Sequence, residues 1–142
     1  MKLVFVYNAQ AGVRAGLFDS IHKLVSPGTY RCALCAITYG VLRMDPRWKR
    51  WLKRLPFPVE FYHKRDFKAA YPDARVNLPA ILVDRDGQLE LLVSGLDMQA
   101  LERVDDLIAL INRRLKIFLD KSERKENNTG QEDGGPPSAL TA

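Results

Sequence analysis

The two cysteines of the chain are Cys32 and Cys35, separated by Ala33 and Leu34. This C-x-x-C spacing serves two chemistries, because paired thiols either exchange with a disulfide or supply two ligands to a metal ion. In a redox pair, we expect Cys32 to be the attacking thiol, since the cation of Arg31 is next to it, and Cys35 to resolve the mixed disulfide. The plainer alternative is that both cysteines are small buried apolar residues.

A metal site needs further ligands, and the two histidines of the chain, His22 and His63, are the candidates. With Cys32 and Cys35 they make the four soft or borderline ligands that a tetrahedral zinc or copper(I) ion accepts. Zinc-finger spacing is not met, because a second closely spaced pair of ligands is missing. Each histidine alone also fits a surface or hydrogen-bonded core position. The sequence therefore leaves open a single zinc or copper ion or no cofactor.

A second feature is a basic segment, in which Asp45 is the only acidic residue among Arg43, Arg47, Lys49, Arg50, Lys53 and Arg54. Asp45-Pro46 predicts a helix start, with an N-cap acceptor followed by a first-turn proline. Trp48, Trp51, Leu52 and Leu55 then share one helical face, and the basic side chains occupy the rest. This pattern fits a core-packed helix with a solvated outside, or a surface for a nucleic acid, an acidic protein or an anionic membrane. Because the tryptophan face is needed for the core, it does not also anchor the helix in lipid.

The elements that must position these residues alternate between strand and helix patterns. The predicted strands cover 3–7, 33–39, 59–63, 80–83 and 89–93. The predicted helices cover a segment with apolar positions at Leu17, Ile21, Leu24 and Val25, then 46–55 and 65–71, and a long last helix that Asp97 caps. A strand at 33–39 places the two cysteine side chains on opposite faces, so a dithiol site requires a turn at 32–35.

The last part of the pattern is a hairpin, because Asp86-Gly87 separates two apolar runs. A hairpin that follows Leu78-Pro79 and precedes a terminal helix resembles the second half of the thioredoxin fold. The resemblance implies that Pro79 is a cis proline beside the active site. In thioredoxins the C-x-x-C motif opens the helix after the first strand, whereas here that place holds Asn8-Ala9-Gln10-Ala11 and the cysteines come later.

We expect one thioredoxin-like α/β domain at 1–119, with helices on both faces of the sheet. We expect a disordered tail at 120–142, because this segment lacks periodic apolar residues.

A set of residues in the first 40 positions carries a more specific resemblance: Asn8, Gly12, His22-Lys23, Ser26-Pro27, Thr29-Tyr30, the segment 32–35 and Thr38-Tyr39-Gly40. Together they are similar to the signature of a small bacterial family of uncharacterised thioredoxin-like proteins. The resemblance implies a fold and a candidate site, supported by Arg31, Asn8 and Pro79, but no reaction. Such proteins are sometimes labelled GTPases, yet this chain has no G-x-x-x-x-G-K-[ST] motif. Neither a bound nucleotide nor nucleotide hydrolysis is therefore expected.

Composition limits the class of protein. Apolar residues make up 46% of the chain, and no run approaches the roughly 18 uncharged apolar residues of a membrane span. The first residues are typical of a strand rather than a signal peptide, so we expect a cytoplasmic protein.

Two functions follow from these patterns. One is a thiol protein, redox-active toward another thiol protein or metal-binding. The alternative is a non-catalytic module whose basic helix, 43–55, binds an anionic macromolecule, and the geometry of the cysteines distinguishes the two.

Overall fold

The computed structural model describes residues 1–8, 33–38 and 44–129. The predicted helix at 17–25 lies outside the described residues, as do the candidate site residues Arg31, Cys32, His22 and Arg43. The described elements, in chain order, are β1 (Lys2–Val6), α1 (Ala33–Thr38), α2 (Pro46–Arg54), β2 (Val59–Tyr62), α3 (Lys64–Ala70), β3 (Ala80–Arg85), β4 (Gln88–Val93), α4 (Gly95–Gln99) and α5 (Val104–Thr129).

The four strands form one mixed sheet in the order β2-β1-β3-β4. β1 runs parallel to β2 and antiparallel to β3, and β3 and β4 form an antiparallel hairpin. The two central strands consist almost wholly of buried residues, as expected for strands that are covered on both faces. The prediction of an α/β chain is confirmed, and the four described strands form one sheet.

The turn of the hairpin is made by the Asp-Gly pair that predicted it. Asp86 and Gly87 have φ angles of 53° and 86°, so both central residues are left-handed, as a type I′ turn requires. The carboxylate of Asp84 also accepts a hydrogen bond from the N–H of Gly87 at 2.8 Å. The tight turn fixes the register of β3 and β4.

Side chains alternate between the two faces of each strand, so the sheet presents apolar residues on both of its faces. Helices cover both faces and bury these residues. One face carries Leu3, Phe5 and Ile81, which pack in the larger core with residues of α1, α2, α4 and α5, among them Leu34, Trp48, Met98, Leu107 and Ile111. The other face carries Val4, Val6, Ala80 and Leu82, which pack against Phe67 of α3. Thus α2 and α3 lie on opposite faces of the sheet.

The segment at 33–38 is helical, so the prediction of a strand at 33–39 is wrong. Ala33, Leu34 and Ala36 all favour a helix, and the hydroxyl of Thr38 donates to the carbonyl of Leu34 at 2.7 Å. A short apolar run fits a buried helix as well as a buried strand. The correction matters because Cys35 belongs to this helix.

After β4, the first helix begins at a different residue from the one predicted. Ser94, and not Asp97, is the N-cap, and Asp97 completes a capping box in the first turn of the short helix α4. The long helix begins only at Val104. Both Ser and Asp are favourable N-cap residues, so the residue types alone did not separate the two starts.

The last helix also continues past the predicted end of the domain at residue 119. α5 ends at Thr129, so residues 120–129 are helical, where a disordered tail was predicted from 120. This segment is almost entirely exposed, but its Lys, Arg and Glu residues are good helix formers. Extending a helix that packing has already nucleated costs little, so no apolar face is needed. Residues 130–142 lie outside the described residues.

Candidate functional site

The carboxyl ends of the two parallel strands meet at one end of the sheet. The N–H of Tyr7 donates to the carbonyl of Tyr62 at 2.9 Å, and β3 starts here because Val6 pairs with Ala80. The register therefore places Tyr7-Asn8 opposite Leu78-Pro79. Ligands of open α/β sheets bind outside the carboxyl ends of the strands. We call the residues Tyr7, Asn8, His63 and Pro79 the site end of the sheet.

His63 directly follows β2 and precedes the first residue of α3. Its ring centroid lies 6.1 Å from that of Tyr7, and its Nδ1 lies 3.5 Å from Oδ2 of Asp66. The side chain is 19% exposed. The structure thus brings one of the two predicted histidine ligands to the site end, oriented between an aromatic ring and a carboxylate.

Tyr7 is a residue of this end that the sequence interpretation treated only as part of a strand. It is buried, and its ring stacks on Phe61 with centroids 6.2 Å apart. Its position offered a signal, since it is the last residue before Asn8 and so lies where β1 reaches the edge of the sheet. With His63, it gives the site end two polar aromatic side chains.

Pro79 is buried and follows a cis peptide bond from Leu78. Helix α4 begins directly against it, because a Cβ atom added at Gly95 would lie 3.1 Å from the carbonyl oxygen of Pro79 and 3.3 Å from its Cδ. That spacing is tighter than a side chain accepts without displacing its neighbour. Glycine at position 95 therefore permits the close approach of α4 to the proline.

An ion pair holds α4 in this place. Arg114 of α5 donates to both carboxylate oxygens of Asp97, at 2.6 and 2.9 Å, and to the carbonyl of Leu92 at 2.9 Å. The Arg114 guanidinium, helped by the N–H and hydroxyl of Ser94, holds the pKa of Asp97 well below its usual value although burial opposes this. The pair fixes α4 to the end of β4 and to α5.

Cys35 lies on α1, the next element beyond α4. The thiol side chain is half-buried and packs against the larger core, and α1 as a whole packs against α4 and α5. A continuous set of packed elements therefore leads from Pro79 through α4 to the helix that carries Cys35. Its predicted partner, Cys32, lies outside the described residues.

The predicted metal ligands are only partly described. His63 is at the site end and Cys35 is on α1, whereas His22 and Cys32 belong to the undescribed range. In the part of the chain that the structure describes, no three His, Cys, Asp or Glu side chains form a group that could hold a metal ion. The four-ligand site stays a prediction.

The basic segment forms the outside of α2, as its pattern predicts. Trp48 is fully buried with its ring centroid 5.5 Å from that of Phe5, and Nε1 of Trp51 donates to Asn112 at 3.1 Å. Arg47 binds the carboxylates of Asp45 and Asp105 at 2.9 and 2.6 Å.

The remaining cations of this helix are all exposed. Within residues 1–8, 33–38 and 44–129, none of them forms an ion pair. We call this set the cationic face; it consists of Lys49, Arg50, Lys53 and Arg54.

A third polar group lies along the face of the sheet that α3 covers, and its Lys2 and Asp84 pair at the end opposite the site end. Nζ of Lys2 donates to Glu60 at 2.9 Å and lies 3.5 Å from Asp84. The hydroxyls of Tyr62 and Tyr71 donate to Glu60 and Asp84, each at 2.7 Å. We call these five residues the lysine cluster.

Every ionisable group of the lysine cluster has a shifted pKa. The hydrogen bond to Glu60 raises the pKa of Lys2, and hydrogen bonds from Tyr62 and Lys2 lower the pKa of Glu60. Burial alone raises the pKa of Asp84, but the bonds from Tyr71 and Gly87, with Lys2 nearby, bring it below its usual value. The pKa of Tyr62 rises to about 12, mainly because its hydroxyl donates to Glu60. These groups stabilise one another.

Comparison with known proteins adds no relative from which a function could be transferred. No family model matches the chain, and no curated protein or solved structure does. Among the described residues, no helix is long and apolar enough to cross a membrane.

Proposed function

We propose that the chain is a thiol protein of thioredoxin-like fold, in which Cys32 and Cys35 act as one reversible dithiol. The observation that carries the proposal is that residues 33–38 form a helix. Side chains three positions apart lie on the same side of a helix, whereas on a strand they lie on opposite faces. An extended segment would have placed the two cysteine side chains on opposite faces. Because residues 33–38 are helical instead, this objection to a pair at 32–35 does not apply.

The sheet supports the thioredoxin-like part of the proposal. If the fold is thioredoxin-like, the strands predicted at 3–7, 59–63, 80–83 and 89–93 share one sheet, and Pro79 lies next to the loop that begins at Asn8. The observed strand order and the pairing of Val6 with Ala80 agree with that expectation. Helices on both faces and a terminal helix after the hairpin agree with it as well.

The proposed reaction is exchange with the disulfide of another thiol protein. The thiolate of Cys32 attacks one sulfur of that disulfide, and the other sulfur leaves as a thiolate. Cys35 then loses its proton and attacks the Cys32 sulfur of the mixed disulfide, which releases the second thiolate of the partner. The partner gains two electrons, and the chain is left with a Cys32–Cys35 disulfide. Arg31 favours the thiolate of Cys32 electrostatically.

The site end would form the surface on which the partner chain rests. Pro79 and the first turn of α4 lie between the strand ends and the helix of Cys35, as the close contact of Gly95 with Pro79 indicates. The cytoplasmic location expected from the sequence belongs to the same proposal, because a reducing compartment keeps both thiols available for exchange.

The test follows the reaction of the reduced, folded protein with glutathione disulfide. We expect wild type to reduce one equivalent of disulfide and to lose both of its own thiols. Cys35→Ser should stop at a stable glutathione adduct on Cys32, and Cys32→Ser should react far more slowly. Ala36→Ser, an exposed position of the same helix, is the control and should behave as wild type.

The same samples distinguish the metal-binding alternative. Zinc and copper are measured in protein purified under reducing conditions. One equivalent of metal that is lost in both cysteine variants but not in Ala36→Ser would replace the redox proposal by a metal site. Two thiols that react only after unfolding would overturn both versions and leave the cysteines as packing residues.

A further inference from the structure

The cationic face is continuous along α2. Its four residues occupy positions i, i+1, i+4 and i+5, so at about 100° per residue they lie within an arc of about 140°. The residues are Lys49, Arg50, Lys53 and Arg54, all exposed. Four like charges on less than half of a nine-residue helix, without a neutralising carboxylate in the described part of the chain, create a local positive potential.

The backbone that carries this face is held firmly. The side chain of Asp45 caps the start of α2 through the N–H of Arg47 at 2.8 Å, and Arg47 also binds Asp105 of α5. Trp48 is fully buried, and Trp51 is tied to Asn112. Because none of these contacts involves the four cations of the cationic face, the cations project from a fixed scaffold and are available to an external ligand.

The arrangement disfavours two of the three classes of anionic partner. An interfacial membrane helix needs an exposed apolar face, but the large exposed apolar residues of the described chain lie on other elements: Phe61, Leu91, Leu96 and Ile117. Protein interfaces are depleted in lysine and depend on buried anchors, among which tryptophan, tyrosine and arginine are the most frequent. The cationic face has two arginines but no aromatic or apolar anchor.

We propose that the cationic face binds the phosphate backbone of a double-stranded nucleic acid, by an interaction independent of the thiols. Contacts with the phosphate backbone need only cations in suitable positions, and they supply most of the affinity of non-specific nucleic-acid binding. Binding of single strands uses exposed aromatic side chains on which bases stack. The two tryptophans of α2 face the core instead, so the helix offers charge without a stacking surface.

The first test is the salt dependence of binding to a fluorescein-labelled duplex of 20 base pairs, as DNA and as RNA of the same sequence, under reducing conditions. Neutralising about four phosphates predicts a slope of log K on log salt of about −3.6, which is a fall of about 150-fold in affinity between 50 and 200 mM salt. The unlabelled single strand should compete less well than the duplex.

The second test compares two triple variants that remove the same charge. Arg50→Ala/Lys53→Ala/Arg54→Ala acts on the cationic face, and Lys64→Ala/Arg65→Ala/Lys68→Ala acts on exposed cations of α3, on the opposite face of the sheet. We expect the first to weaken duplex binding by more than tenfold and to reduce the salt slope to about −0.9. The second should change affinity by less than about twofold, and circular dichroism should show that both fold.

Three results would overturn the proposal. Equal weakening by both triple variants would mean that overall charge, not the cationic face, attracts the duplex. Tighter binding of the single strand would indicate stacking rather than backbone contacts. Tighter binding of polyglutamate or of phosphatidylserine vesicles, lost in the first triple variant, would assign the same face to an acidic protein or a membrane. Binding that survives Cys32→Ser and Cys35→Ser unchanged supports the stated independence from the thiols.

Discussion

The lysine cluster and the site end use polar residues in opposite ways. In the lysine cluster, ionisable groups of β1, β2 and β3 bind one another, and their pKa values are all shifted as a result. At the site end, Tyr7, Asn8, His63 and Pro79 come from three strand ends, and α4 lies between Pro79 and the helix of Cys35. Shifted pKa values often mark functional sites, but ion-pair networks shift them too. Here the most connected charges stabilise the fold, and the candidate chemistry lies at the site end.

The largest expected effect is at the lysine cluster. Asp84→Ala removes a carboxylate that is 5% exposed and leaves the hydroxyl of Tyr71 and the N–H of Gly87 without their acceptor. We expect the free energy of unfolding, measured with urea, to fall by about 3 kcal/mol. The thiol reactivity of the folded protein should not change.

Asp73→Ala is the matched control, because Asp73 is exposed and should change the free energy of unfolding by at most about 0.5 kcal/mol. Equal stability of the Asp84 variant and this control would show that the lysine cluster does not stabilise the fold.

A smaller effect on stability, combined with an effect on reactivity, is expected at α4, which packs against Pro79 of the site end. Asp97→Ala removes the capping box of α4 and its bond to Arg114, which should lower the free energy of unfolding by about 2 kcal/mol. Because α1 packs against α4, the exchange rate of the thiols should also change several-fold.

Asp120→Ala, an exposed carboxylate further along α5, controls for the loss of charge. If Asp97→Ala and Asp84→Ala altered thiol exchange to the same extent, the proposed separation of the lysine cluster from the site end would fail.

The pH dependence of stability should have an acidic and an alkaline part. The pKa values of Glu60, Asp84 and Asp97 are lowered by folding. Their stabilisation is therefore complete above the unfolded values near about 4, and it is lost as the pH falls through the folded values. The pKa of Tyr62 is raised to about 12, so its stabilisation is complete below about 10 and is lost as the pH rises toward 12.

Urea unfolding between pH 2 and pH 11 measures both parts, and Tyr62→Phe should remove much of the alkaline part. A stability that is constant across this range would contradict the assigned hydrogen bonds.

The smallest effect is expected from removing residues 121–142. In the described part of that segment, Glu126 approaches Arg85 at 3.9 Å and is 76% exposed. Surface ion pairs contribute little, so the free energy of unfolding should fall by less than about 1 kcal/mol. Glu126→Gln isolates the ion pair and should account for most of any loss. A loss of more than about 2 kcal/mol would mean that this segment packs on the domain.

Elements with local signals were predictable from the sequence. Asp86-Gly87 defined the hairpin and Asp45-Pro46 defined the start of α2. A long last helix was also predicted, although α5 begins later than expected, at Val104. These signals act within a few residues, as the φ angles of the turn and the cap of Asp45 illustrate. The basic exterior of α2 was predictable for the same reason, since burial of Trp48 determines which side faces outward.

What the sequence did not reveal depends on contacts between distant residues. Helix α1 has six residues, too few for its period to separate a helix from a strand. The bond of Asp97 to Arg114 spans 17 positions, and the approach of Gly95 to Pro79 depends on how α4 packs. The site end itself required the register of β1 with β2 and β3, which places Tyr7 and His63 together.

The most direct test of the dithiol is its redox equilibrium. Folded protein is equilibrated in buffers with a rising ratio of oxidised to reduced glutathione, and exchange is quenched with acid. The protein is then unfolded and alkylated, and its mass is measured by mass spectrometry. The proposed pair predicts two alkyl groups under reducing conditions and none under oxidising conditions, with one two-electron transition and a disulfide between Cys32 and Cys35. Two alkyl groups in every buffer, or disulfides only between separate molecules, would contradict it.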